Sequence, residues 1–543
     1  MEFHCIDLSK LHASNSLFLN YAKNFENVSD WYTAPPVDSQ GWQRRAEQVS
    51  RQAGFPRSSL IEILTRYNSD LGAGEPTFRN LQRLAKDDAV AVVSGQQVSL
   101  FGGPAYSVYK AASAVQFAAQ LRAQGTPAVP VFWLAANDSD FEEIRTAHFL
   151  NKKGEELALR LSDSRQDLNQ MTGSISLRDV DALSAGLADS FQELDFGQQT
   201  LASLAAAYDK DSTLGRAFGV WLSSLFREHG LIILDPTLPS INSRLAGFYS
   251  TCVSRRKEIV NSLVDRSQTI RNAGFAPQVS LDESEGLLFL VDGQRRTKLK
   301  FQNGRYQAKG IVDTRMSETE LLQLAGSQPD RLSPGVLVRP LLQDFLLPTL
   351  AYIGGPAEVA YFAQLHAIGR FWDRDLLILP RSSLTLVDRK SQRLLRKYDL
   401  SVEDVLLGSL QSLGERIVRT SEAAGLLVEL ETLQEGLRDR LTALEARLKG
   451  IDASVAGMLP GVREKVSYQL GKLSARFVQN QRQRQPSLEH HLQHLRSRLA
   501  PGGAPQERVL SFSQFEAEEG NTLLERLLPH LSPSSLCHKV CYL

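Results

Sequence analysis

A chain of 543 residues is too long for one ordinary domain, and 42% hydrophobic with 22% charged content fits a soluble globular protein with a large core. Lys plus Arg equal Asp plus Glu at 61 each, so no overall field recruits nucleic acid or an anionic membrane. No apolar run reaches the roughly 18 residues that span a bilayer, and MEFHCIDLSK lacks the order of a secretory signal, so a cytoplasmic protein is expected.

Residues 1–84 are expected to be a helical segment packed on the core that follows. The run AVAVVSG (89–95) is short, Val-rich and free of charge, as a strand buried on both faces requires. The chain then reads QQVSLFGGPAYSVYK, a glycine-rich loop that opens a helix at Pro104. The helix has its apolar face at Val108, Ala112, Val115 and Ala119 and its end at Gly125. A second strand, VPVFWLAAND (129–138), completes a right-handed βαβ unit. With LIILDP (231–236) and LLILPRSS (376–383), residues 85–388 are expected to hold an α/β core, a doubly wound Rossmann-like parallel sheet.

Two insertions are expected in that core. Residues 150–225 read as polar and then helical, and residues 276–310 as an antiparallel meander with turns at Asp292-Gly293 and Asn303-Gly304. Past Asp388, Leu430, Leu433, Leu437, Leu441, Leu444 and Leu448 recur every three or four residues, and further stripes follow Pro460 and Pro486. This spacing over 389–500 fits an intramolecular hairpin and a dimer-forming coiled coil alike. Residues 501–543 are expected to return to the core. Cys5, Cys252, Cys537 and Cys541 have no metal-type spacing, and reduced thiols are expected.

The loops at the strand ends are where an open α/β sheet binds ligands. Gly95, Gln96 and Gln97 end the first strand. Gly102 and Gly103 would let backbone N–H groups meet an anion at the helix start, with Tyr106 and Lys110 on its first turns. On that view, side-chain bulk at Gly103 should harm binding more than folding. AYIGGPAEVAYFAQL repeats the device with Gly354, Gly355, Glu358 and Tyr361. The acidic loop AANDSDFEEI offers Asn137, Asp138 and Asp140, either as ligand groups or as a helix N-cap. Arg339 precedes the second glycine pair, and Arg381 with Ser382 ends a strand where arginine would clamp a phosphate or carboxylate. His490, His491 and His494 look more like a solvated helix face than a metal site. No Walker loop, GxSxG or HExxH is present.

The blocks SGQQVSLFGGPAYSVYKAASAVQ, VPVFWLAANDSDFEEI, RPLLQDFLLPTLAYIGGPAEVAYFAQL, LPRSSLTLVD, APQERVLSF and HKVCYL together resemble the cysteine-adding enzymes of bacillithiol biosynthesis. The resemblance spans nearly the whole chain. It implies amide formation between L-cysteine and glucosaminyl malate, a core similar to class I aminoacyl-tRNA synthetases, and a C-terminal coiled coil that pairs subunits into a homodimer. It also places catalysis and substrate binding at Asp138 and Asp140. The sequence departs from the pattern twice. LFGGPAYSVYK stands where such synthetases carry their HIGH signature, with no clear KMSKS elsewhere, and Ser139 stands where the family's acidic loop has a histidine. Amide formation from a free carboxylate needs activation, so ATP or another phosphate donor is the simplest cosubstrate. The alternative is a catalytically diverged nucleotide- or metabolite-binding protein whose coiled coil recruits a partner.

Overall fold

The computed structural model describes the chain except residues 12–14, 38–40, 52–54, 164–167, 309–313, 421–423, 485 and 534. The last two residues of the 276–310 insertion and part of the polar start of the 150–225 insertion therefore lie outside the described residues. The chain forms two units. One comprises His4–Thr385 with Glu507–Lys539, and the other Leu386–Gln506 with both chain ends, Met1–Phe3 and Val540–Leu543.

The centre of the first unit is a five-stranded sheet. Its strands are β1 (Val90–Gln96), β2 (Ala128–Leu134), β3 (Ile232–Leu234), β4 (Thr349–Gly354) and β5 (Ile378–Pro380), in the spatial order β5-β4-β1-β2-β3. All four pairings are parallel. Every residue of β2 is buried, as is β1 up to Gly95, which is why both read as unbroken apolar runs. Helix α1 (Tyr106–Ala123) joins β1 to β2.

Helix α1 departs from the single apolar face expected of it. It is buried on nearly all sides, including Ser107, Lys110 and Ser113. The chain's return explains this. Leu510 accepts the Ala105 N–H at 2.8 Å, and the Tyr109 and Phe512 rings meet edge-on at 6.1 Å.

The meander forms as its turn signals require, with left-handed backbone at Gly293, Asn303 and Gly304. Its strands Glu285–Asp292, Arg295–Gln302 and Arg305–Ala308 are flanked by Thr314–Met316 and Leu332–Pro334 in one antiparallel sheet. Among its described residues the 150–225 segment carries the α-helices Val180–Phe191, Gly197–Ala207 and Leu214–Leu225. A hairpin, Thr146–Leu150 against Glu156–Arg160, stands at its polar start. Cys5 and Cys537 are joined in a disulfide, which corrects the expectation of four reduced thiols; Cys252 and Cys541 are buried and outside it. Among the described residues, no helix is long and apolar enough to cross a membrane.

In the second unit, α2 (Ala424–Lys449) and α3 (Leu459–Gln483) form an antiparallel hairpin. Arg463, early in α3, contacts Thr442 and Glu445 late in α2, while Leu427 and Val478 join the opposite ends.

Candidate active site

The strand order reverses at β1: the chain moves outward through β2 to β3 and then crosses back to lay β4 on the other side. The carboxyl ends of β1 and β4 are therefore neighbours, with Ser94 beside Ile353, and both glycine loops open at this switch point. A crevice of about 370 Å³ lies there, bounded by Gln97, Tyr106, Glu143, Tyr361, Arg381 and Arg508. It runs into a second lobe of about 240 Å³ under the antiparallel sheet, walled by Leu281, Leu287, Leu288, Phe289 and Leu337. The two lobes share Ala135, Asp138, Val336 and Arg339.

The first glycine loop does not use its amides as expected. Gly102 donates its N–H to the Tyr208 hydroxyl at 2.8 Å, and Gly103 donates to the Leu100 carbonyl at 2.9 Å. A Cβ at Gly102 would stand 2.3 Å from the Trp221 ring, and one at Gly103 would stand 2.6 Å from Ser99. Both have positive φ, and neither lines the crevice. The anion-cradle expectation for this pair is corrected: the glycines serve a tight turn packed on Trp221. Gly95 does reach the crevice, and its lack of a side chain lets β1 pass the Trp133 carbonyl, 2.8 Å from where a Cβ would be.

Lys110 lines the crevice, yet its ammonium is committed. It donates to the Gly95 carbonyl at 2.8 Å and the Gln96 amide oxygen at 3.1 Å, and forms a buried ion pair with Glu358. The expected anion-binding cation is instead a tie between the two glycine loops. Glu358 also accepts the Gly355 N–H at 2.7 Å and the Tyr352 hydroxyl at 2.6 Å. Burial alone would push its carboxyl up; Lys110 and these donors outweigh it and hold Glu358 below the usual carboxylate range.

The acidic loop divides its labour. Asp138 faces the crevice, with one oxygen accepting from the Gln97 amide at 2.8 Å and the other from the Ser139 N–H at 2.7 Å. Asp140 lines neither lobe and is exposed. It is the N-cap of α-helical residues Phe141–Ile144, accepting the Glu143 N–H at 3.3 Å. The expected catalytic role of Asp140 thus gives way to capping. Asn137 is buried against Ser333 at 3.0 Å and lines the apolar lobe.

Around the second glycine pair, Gly355 lines the crevice, whereas Gly354 is packed against Ile378, 2.7 Å from where a Cβ would be. The helix Pro356–Leu365 starts at the crevice wall. Arg339 donates to the Tyr361 hydroxyl at 2.8 Å and lies over the Tyr352 ring. Arg381 borders the crevice, but its guanidinium grips Glu507 through two bonds of 2.7 and 2.9 Å, so the expected clamp on a phosphate or carboxylate ligand is corrected. Ser382 is wholly buried, donating to the Ser532 carbonyl, and stands outside the crevice.

Sequence reasoning passed over Glu143, Arg508 and Arg296. Glu143 accepts from the same Gln97 amide, at 2.9 Å, and was legible only as a helix-start acid. Arg508 lies 5.9 Å over the Tyr106 ring and reaches the crevice only because residues 507–539 return to this unit. Tyr106, buried beneath the Glu143 carboxylate, has its hydroxyl pushed up to about 12 and accepts from Gln96 at 2.9 Å.

Two family models cover the chain. The bacillithiol biosynthesis BshC N-terminal Rossmann-like domain matches residues 1–381, and the BshC C-terminal coiled-coil domain matches 384–543. A protein of Koribacter versatilis named "Putative cysteine ligase BshC" is 33% identical over 96% of this chain and 97% of its own length. Proteins of the same name from Salinibacter ruber and Solibacter usitatus are each 30% identical over 98% and 99% of the chain. The chain belongs to the bacillithiol biosynthesis BshC family.

Proposed function

We propose that this protein is an amide-forming ligase that joins L-cysteine to glucosaminyl malate, the last step of bacillithiol synthesis. The observation that carries the proposal is the pair of lobes meeting at Asp138 and Arg339, a two-part cleft with a carboxylate at the junction where two reactants can meet. The relatives' shared name supports the reaction class.

Amide formation removes an oxygen from the cysteine carboxylate, so that group must first be activated by ATP or another phosphate donor. Arg508, which among the described residues forms no ion pair, borders the crevice and supplies the cation for the donor's phosphate. The sugar amine then attacks the acyl carbon, the activating group leaves with the carboxylate oxygen, and the amine loses a proton. Asp138, held by Gln97 and by backbone amides, orients the neutral amine and takes that proton.

The test is incubation of the purified protein with cysteine, glucosaminyl malate and ATP, followed by mass spectrometry. Formation of bacillithiol is expected. No product with ATP or any other phosphate donor would reject the ligase and leave the metabolite-binding alternative, which Ser139 at the expected histidine position favours.

A further inference from the structure

The apolar lobe holds two guanidinium groups without a carboxylate partner. Arg296 is 9% exposed, stacks 3.7 Å over the Phe289 ring and makes one side-chain hydrogen bond, to the Pro334 carbonyl at 2.5 Å. Its Nε is buried and has no partner. Arg339 bonds only to tyrosine. Among the described residues, no acidic group forms an ion pair with either arginine. Asp138, the acid nearest in effect to Arg296, is already held by Gln97. Lys298 and Lys300 use the lobe's other acid, Glu285, at 2.8 Å.

A buried guanidinium with no counter-charge is costly, and burial pulls Arg296 down to about 10. Such a site gains most from an anion that brings its own carboxylates. The surrounding leucines and Phe289 suit a ligand with a short hydrocarbon frame and offer few donors for a polyphosphate.

We propose that this lobe is the dicarboxylate subsite. Arg296 and Arg339 take the two carboxylates of the malyl group, while the sugar lies in the polar lobe with its amine at Asp138. This rests on the reading of glucosaminyl malate as the substrate and adds where it lies and which residue selects it. Arg296 is a specificity residue that sequence motifs do not mark.

Calorimetry on the full chain tests it, using wild type, Arg296→Gln, Arg296→Lys and Val336→Glu. The probes are glucosaminyl malate, methyl glucosaminide, malate and pyrophosphate. Val336 is 48% exposed and borders both lobes, so a carboxylate there opposes the malyl anion without disturbing the core, even where Arg296→Gln fails to fold. Arg296→Gln and Val336→Glu are each expected to weaken glucosaminyl malate at least tenfold, with Arg296→Lys intermediate and methyl glucosaminide unchanged. Binding of glucosaminyl malate within twofold of wild type in both variants overturns the subsite. So does an equal loss of methyl glucosaminide, or a loss confined to pyrophosphate, which would make the lobe a phosphate site. Should wild type bind malate through Arg296 but not glucosaminyl malate, the substrate reading falls and the dicarboxylate lobe stands. Binding of neither sinks both.

Discussion

Asp138 is aimed before a ligand arrives, since Gln97 holds one oxygen and the Ser139 amide the other. The same Gln97 amide restrains Glu143. Gln97→Ala therefore leaves two neighbouring carboxylates without their shared donor. We expect kcat to fall about 10- to 100-fold, as for loss of a positioning group, with a smaller change in KM and a near-native melting temperature. An unchanged kcat would show that Asp138 needs no such support. Gly103 gives the opposite expectation. A valine there meets Ser99 and must adopt a positive φ, at a cost on the order of 2–4 kcal/mol. Thermal unfolding of Gly103→Val should show a lowered melting temperature, while ligands still raise it by the wild-type increment. Loss of that increment in a stable variant would return the loop to the binding site. The loop's position at a strand end was legible in QQVSLFGGP. The fate of the Gly102 amide was not, because Tyr208, which accepts it, comes from a distant part of the chain.

Among the elements, the strands were the most legible, because burial on both faces leaves an apolar run that little else produces. The turns of the meander were equally plain, since Asp-Gly and Asn-Gly satisfy a backbone requirement. The Thr146–Arg160 hairpin was missed because its short, polar strands alternate too weakly to register. The returning segment had no local mark either, although it seals α1 and supplies Glu507. That carboxylate accepts from Arg381, Ser383 and the Leu384 N–H, and these interactions outweigh burial to hold it down at about 2. The folded-state value lies below the unfolded one near 4.5, so the unfolded chain binds more protons between these values. The stabilisation is complete above pH 4.5 and is lost as pH falls towards 2. Glu507→Gln should destabilise the protein by about 3–5 kcal/mol at pH 7, since it strands Arg381 in the interior, and the deficit should shrink below pH 4.5. A deficit constant with pH in chemical denaturation would mean that the pair's charge contributes nothing.

At the scale of the whole molecule, the second unit leaves an apolar stripe unfinished. Two antiparallel helices can bury only the sides facing each other, and α2 and α3 bury Leu427 and Val478 where they meet. Leu433, Leu444, Val462 and Leu473 remain 50%, 42%, 41% and 52% exposed, more than a solvated helix needs. We propose that a second copy of the hairpin covers them. Completing the burial of each half-exposed side chain contributes about 1 kcal/mol, half the value for full burial. Four such positions on each of two copies give on the order of 8 kcal/mol, which offsets much of the entropy cost of association, the remaining contacts along the hairpin adding to it. Replacing Leu433 and Leu473 with glutamate leaves the helices' own contacts at Leu427 and Val478 in place while setting charges into the proposed interface. Light scattering should then report the 60.3 kDa monomer in place of twice that mass, with helical content retained by circular dichroism. A wild-type protein that is already monomeric at 50-fold higher concentration, or a double variant that keeps the dimer mass, would leave the exposed stripe without the partner proposed for it.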